Sequence, residues 1–337
     1  MRARVVPPHL LIAGVLHTLL LSSCGGCGAP ARGDVATINA DQLKTERPRL
    51  ELSGIAWSSS LQRYLMVSDD TAQEGSKRTR HAPLVFVMTT AGVLDPSPLR
   101  IEGLDELNDP ESITAGPGET FFVATSHSLN KKGHLPASRR KLLQLSLSTS
   151  PSALRVIGQV DLTEGRGATG QTLLEMARLP ADGTLDIEAL HFREGALYIG
   201  LKAPLAADGS ATILRLADPA AALASGKIPA GAISFWSRAR LCQPREGRDV
   251  CAGIADMTSL ADGSLLLVGN SPKGMPSDGG GSLWRLEGAG KSAVFIRQFA
   301  GRKPEGLTLS PEGTSAVIVF DSDGQPAQWT QWPLPRR

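Results

Sequence analysis

Five times along this chain two apolar, β-rich runs bracket a tight polar turn, opening on an acid or small residue and closing on a polar or small cluster. The copies are "LSGIAWSSSLQRYLMVSDD" from Leu52, "DPESITAGPGETFFVATSHS" from Asp109, "DIEALHFREGALYIGLKAP" from Asp186, "IADMTSLADGSLLLVGNSP" from Ile254 and "KPEGLTLSPEGTSAVIVFDSD" from Lys303. Each predicts a β-hairpin, because Gly, Pro, Asp and Ser supply the conformations short turns need and the flanks are apolar. The second run of each copy is almost uninterrupted in apolar residues, as in strands covered on both faces.

Two further strand-like runs follow each of the first four hairpins, for example "PLVFVMTT" and "SPLRIEGL" after the first; the fifth is followed by "AQWTQWPL" alone. A four-strand unit recurring in this way is the signature of a β-propeller blade. Gly54, Ser112, Ala189, Met257 and Gly306 anchor the repeat at spacings of 58, 77, 68 and 49 residues. The expected fold is all-β, a propeller of five four-stranded blades, with six blades as the alternative. Since the last unit is short of strands, one from residues 34–43 or 49–52 should complete it, close the ring and remove an exposed edge.

Ahead of the repeats lies a leader with Arg2, Arg4 and the apolar run "HLLIAGVLHTLLLSS", too short for a membrane span. It ends in Leu21-Ser22-Ser23-Cys24, which looks like the lipobox of bacterial lipoproteins, with Cys24 as the lipidated residue. An ordinary leader cleaved near "CGAPA" is the competing reading. The domain reading is a signal peptide at 1–23, a polar tether at 24–47 and one propeller at 48–337, exported to the bacterial cell envelope, held to the membrane by its lipid, and monomeric. Losing residues 1–23 removes two of the 35 basic residues and none of the 33 acidic ones, so the signs balance. That balance argues against nucleic acid as a partner. Cys242 and Cys251 bracket a short polar loop, and in an exported protein a local disulfide is expected, with two free thiols as the alternative.

A hairpin begins and ends at the same place, so the residues that open each copy converge with those that close it on one rim. The long charged connections, including "HSLNKKGHLPASRR" and "NSPKGMPSDGGG", fall on that rim too, and long polar loops on a rigid scaffold are where binding concentrates. Within another of them, "GQTLLEMARL" predicts a short helix. Lys77, Arg78, Arg80, Lys131, Lys132, Arg139 and Arg140 are solvated charge or attract an anion. A small polar or anionic ligand is therefore expected near His127, Ser128, Arg139, Arg140, Lys202, Asn270 and Asp321.

Glu111, Glu188, Asp256 and Glu305 open four copies and are expected to be equivalent. Crowded carboxylates need a compensating charge, so they either hold Ca²⁺ or another divalent cation or staple neighbouring blades through backbone amides. Ser126 and His127 are adjacent strand residues that point apart, which disfavours a nucleophile and base pair. The usual hydrolase and nucleotide motifs are absent from the sequence.

Across roughly residues 50–325, "ESI", "TSHS", "DIEAL", "GLKAPL" and "KPEGL" resemble a bacterial propeller family of unknown function, often exported, with Ile-Glu-Gly-Leu and Gly-Leu-Arg-Ser-Pro type motifs. This chain departs from that pattern with Ala189 for a glycine and Lys202-Ala203 for an Arg-Ser pair, which loses the planar fork for bidentate oxyanion binding. More distantly it looks like esterase-like phytase and gluconolactonase propellers, a resemblance implying channel acids that hold a metal ion. The expected function is a non-enzymatic, membrane-anchored binding lipoprotein; the alternative is a metal-assisted hydrolase of a phosphoester or lactone.

Overall fold

The computed structural model describes residues 33–44, 50–69, 71, 81–150, 152–180, 184–275, 279–322 and 325–335. The leader, Cys24, Lys77, Arg78 and Arg80 lie outside the described residues. The strands run β1 (Val35–Thr37), then β2 (Leu52–Ser58), β3 (Arg63–Ser68), β4 (Leu84–Met88) and β5 (Leu99–Glu102). Next come β6 (Pro110–Ala115), β7 (Thr120–Thr125), β8 (Lys141–Thr149) and β9 (Ser152–Asp161), followed by β10 (Asp186–Arg193), β11 (Ala196–Ala203), β12 (Ala211–Ala217) and β13 (Ile233–Ala239). The chain ends with β14 (Leu241–Arg245), β15 (Arg248–Ser259), β16 (Leu265–Asn270), β17 (Gly280–Leu286) and β18 (Ala293–Ala300), then β19 (Lys303–Leu309), β20 (Ser315–Asp321) and β21 (Gln328–Pro333).

Antiparallel pairing gives sheets β10-β11-β12-β13, β14-β15-β16-β17-β18 and β1-β21-β20-β19. The eight-stranded sheet β2-β3-β4-β5-β9-β8-β7-β6 is two such meanders fused where β5 and β9 pair in parallel, Ile101 opposite Leu154. β1 comes from the segment expected to be tether and pairs with β21, Val35 opposite Thr330, while Thr330 Oγ1 donates to the Asp34 carbonyl at 2.6 Å. The last sheet is thereby built from both ends of the chain. Neighbouring meanders meet through clusters of buried aliphatic and aromatic side chains, as in a β-propeller.

The second strands are buried along nearly their whole length, as their composition predicts. The predicted helix is one turn, Leu173–Met176, held by a capping box between Thr172 and Glu175. The polar loop between the cysteines is a β-hairpin instead. Glu246 and Gly247 both take positive φ at its tip, the pattern of a two-residue hairpin turn, and Cys242 and Cys251 face each other in register and are disulfide-bonded.

Each inner strand carries a β-bulge at the same place. The residues left unpaired are Ser53, Glu111, Glu188, Ala255 and Glu305. A bulge inserts one residue and re-aims its side chain, so this row turns toward one mouth of the central channel. The next row is Gly54, Ser112, Ala189, Asp256 and Gly306, where backbones approach so closely that a Cβ on Gly54 would lie 2.8 Å from the backbone of Ser112 and Ile113. Below it Ile55, Ile113, Leu190, Met257 and Leu307 are all buried, each in a different cluster between neighbouring meanders.

Candidate functional site at the channel mouth

Asp256 is not equivalent to Glu111, Glu188 and Glu305. Its register places it in the narrow waist, one residue beyond the bulge, and Ala255 takes the mouth position; Asp256 rather than Met257 is the counterpart of Gly54. There its carboxylate accepts from the backbone N–H of Met257 at 2.8 Å and of Leu307 at 2.7 Å, with Ser112 Oγ at 3.5 Å. Burial pushes this carboxyl well above its usual range while those three hydrogen bonds pull it down. Asp256 ties β15 to β19, which is the stapling alternative.

A second row lies two residues ahead of the bulges: Glu51, Asp109, Asp186, Gly253 and Lys303. Glu51, Asp69, Glu111, Glu188, Glu305 and Asp321, with Ser53 and Lys303, line a cavity of ≈ 50 Å³ at the mouth. Lysines compensate one side of it. Lys202, bulged out of register in β11, sets its Nζ 2.7 Å from Glu188 Oε1 and 3.3 Å from Glu305 Oε1. Lys303 sets its Nζ 2.6 Å from Glu305 Oε1 and 2.9 Å from Asp321 Oδ2. Burial would raise the Glu305 carboxyl, but the two ammoniums bring it down to about 2. Burial likewise opposes the charge on Lys202, yet Glu188 and Glu305 hold its pKa above the usual range.

On the other side the described residues supply one ion pair. Asp69, Asp109 and Glu111 each present an oxygen within 4.8 Å of the others. Among the described residues the cation paired with this group is Arg139, 2.9 Å from Asp109 Oδ2, on the oxygen that also accepts from Ser126 Oγ. Burial, then Glu51 and Asp109, push Asp69 up to about 8. Burial, then Asp109 and Glu188, raise Glu111 well above its range, and burial lifts Asp186 to about 6 against the pull of Lys202. Glu188 is 5% exposed, and its Oε2 has no hydrogen-bond partner among the described residues although it lines the cavity. Asp109 sits at φ 60°, a conformation that few residues but Gly, Asn and Asp adopt readily. Oxygens crowded at this spacing, with a buried oxygen lacking a partner beside them, suit a hard divalent cation.

Beside the mouth, between β16–β17 and β19–β21, opens a cleft of ≈ 600 Å³ lined by Asn270, Ser271, Arg302, Gln325 and Gln328 and sharing Lys303 and Asp321 with the channel. Asn270 and Asp321 thus face the same space, although the Asn270 amide already donates to the Pro304 carbonyl at 2.6 Å. Ser128 and Arg139 are joined at 3.3 Å on the far side of the mouth, next to Asp109. Two expected ligand residues are used elsewhere. His127 is 1% exposed at φ 57°, with Nδ1 2.6 Å from the Thr125 carbonyl, and burial holds its pKa down at about 4. Arg140 pairs with Asp161 at 3.1 Å. Asp109, Glu51, Asp186 and Lys303 were not singled out from the sequence, though the period-two spelling "ELS", "DPE", "DIE" and "KPE" carries them.

No protein-family model matches the chain, and no curated protein matches it. Solved structures do. An exo-β-1,3-galactanase from Phanerochaete chrysosporium, determined with galactose, aligns at TM-score 0.51 and 10% identity over 90% of this chain and 65% of that one. A gluconolactonase from Xanthomonas campestris aligns at TM-score 0.42 and 13% identity over 90% and 91%, and a luciferin-regenerating enzyme at 0.42 and 10% over 89% and 95%. At such identities the likeness is one of fold, that of a β-propeller.

Proposed function

We propose that this chain is an exported, lipid-anchored propeller of five blades, the eight-stranded sheet counting as two, that holds one divalent cation off its axis and binds a small polar or anionic ligand in the adjoining cleft. The observation that carries this reading is the asymmetry of the mouth. Lys202 and Lys303 pair with the Glu188, Glu305 and Asp321 side, while Asp69, Asp109 and Glu111 stand close together with, among the described residues, Arg139 beside them. A cation there would be held by those three carboxylates, with Glu51 and Glu188 at the same cavity. The cleft supplies Lys303, the Gln325 amide and Arg302, whose Nε donates to Gln328 Oε1 at 3.2 Å, a set suited to a ligand with several oxygens.

A second reading, metal-assisted hydrolysis of a phosphoester or lactone, is favoured by Lys303 and Asp321, which the channel cavity shares with the cleft. A cation there would polarise a bound C=O or P=O group. Asp186, lifted to about 6, is a carboxyl able to exchange a proton near neutrality. Metal analysis of purified protein after dialysis, paired with assays of lactone and phosphoester cleavage with and without added cation, separates the readings. About one bound cation per chain with no turnover supports the binding protein, and cation-dependent turnover lost in Asp186→Asn supports the hydrolase. A chain that retains and takes up no divalent ion contradicts both.

A further inference from the structure

The outermost strand of the fourth meander is unusually apolar for an edge. On β18, Val294, Phe295 and Ile296 are 55%, 42% and 37% exposed, and on the outer strand β13 of the preceding unit Phe235 is 39% exposed. A monomer seldom leaves consecutive large apolar residues on its surface without a use for them. The turn that leads into β18 reaches β13: Gly290 N donates to Ser237 Oγ at 3.1 Å, and a cleft of ≈ 630 Å³ lies between that turn and β13, past Phe235 and Trp236.

Basic side chains flank these residues. Arg178 lies over the Phe235 ring at 5.9 Å, and Arg238 and Lys291 line the same cleft. None of the three forms an ion pair among the described residues, whereas Arg240 is paired with Asp249 at 2.6 Å. The acids on this face are Asp208, turned into its own loop by the Ser210 N–H, and the exposed Glu287. Apolar tips beside Arg178 and Lys291, with Arg238 near Asp208, complement an anionic bilayer surface.

The position of the N-terminal segment points the same way. Gly33 lies against β21 and β18, where an added Cβ would meet the Trp332 ring at 3.1 Å and Arg297 Nη1 at 3.7 Å. Arg297 is the residue that follows the exposed Val294–Phe295–Ile296 run. Gly33 lies nine positions after Cys24, a reach of about 30 Å at full extension. With a lipid on Cys24, this side of the propeller cannot leave the neighbourhood of the membrane.

We infer that the outer face formed by β13 and β18 docks on the anionic surface of the membrane, through Phe235, Val294 and Ile296 with Arg178, Arg238 and Lys291, and so orients the propeller beside its anchor. The inference rests on the anchored reading of the leader, and the test separates the two. Mature chain of residues 24–337 carrying Cys24→Ser, which can bear no lipid, is sedimented with phosphatidylglycerol–phosphatidylcholine vesicles and with phosphatidylcholine alone. Sedimentation with the anionic vesicles, weakened by salt, is expected, and Val294→Asp/Ile296→Asp should reduce the bound fraction about tenfold with an unchanged melt. Lys291→Glu, at a fully solvated site, should lower the anionic preference about threefold without any folding question. No sedimentation, equal sedimentation of all variants, or a dimer on sizing that the double variant abolishes overturns the proposal, the last by assigning the face to a second copy. Intact mass of full-length protein from the membrane fraction tests the lipid on Cys24 independently.

Discussion

At the scale of single residues, two acids spelled alike in the sequence do different work. Asp256 holds two buried backbone N–H groups, so Asp256→Ala should destabilise the fold by about 2–4 kcal/mol, equally in chelator and in excess cation. Lys202→Met should cost about 3–5 kcal/mol, because it strands Glu188 and Glu305 as buried carboxyls without their ammonium. Both are read by chemical denaturation. The mouth also sets a pH dependence. Asp69 at about 8 and Asp186 at about 6 bind protons more tightly folded than unfolded, so in chelator the folded state keeps protons that the unfolded chain has released. Stability should therefore be full below about pH 4 for these groups and fall as pH rises through 6 and 8. A bound divalent cation replaces those protons and should flatten the decline; melts across pH 5–9, with chelator and with cation, check the sign.

At the scale of elements, the hairpins were legible because turn residues and apolar runs alternate locally. The turns at Glu194-Gly195 and Gly313 adopt the positive φ their residues permit, and every expected second strand is buried. The bulges were not legible. A bulge is decided by pairing with a partner strand, and in the fourth unit "IADM" offers an acid one position past the bulge, which drew Asp256 into a set it does not belong to. The β14–β15 hairpin was missed because its residues are polar and its register is fixed by the cross-strand disulfide. Replacing Cys242 and Cys251 by Ala should lower stability by about 2–3 kcal/mol, measured by denaturation without reductant. Trimming residues 33–37 should expose the β21 edge and promote aggregation, visible as concentration-dependent light scattering.

At the scale of the whole molecule, a ring of similar units has been made asymmetric. The fourth unit contributes Gly253 and Ala255 where the second, third and fifth carry charge at both positions, the fifth contributes Lys303, and the third sends Lys202 across to it. Among the described residues, the Asp69–Asp109–Glu111 corner has Arg139 as its paired cation. Composition could not show this, since Lys202 belongs to a closing cluster and its reach to Glu305 spans two units. Calorimetric titration of Ca²⁺, Mn²⁺ and Zn²⁺ into the purified chain, alongside Glu111→Gln and Asp256→Asn, tests the account most directly. The account predicts one site per chain for at least one of these ions, weakened at least about tenfold by Glu111→Gln and little changed by Asp256→Asn. Absence of binding by all three, or binding lost in Asp256→Asn but kept in Glu111→Gln, would contradict it.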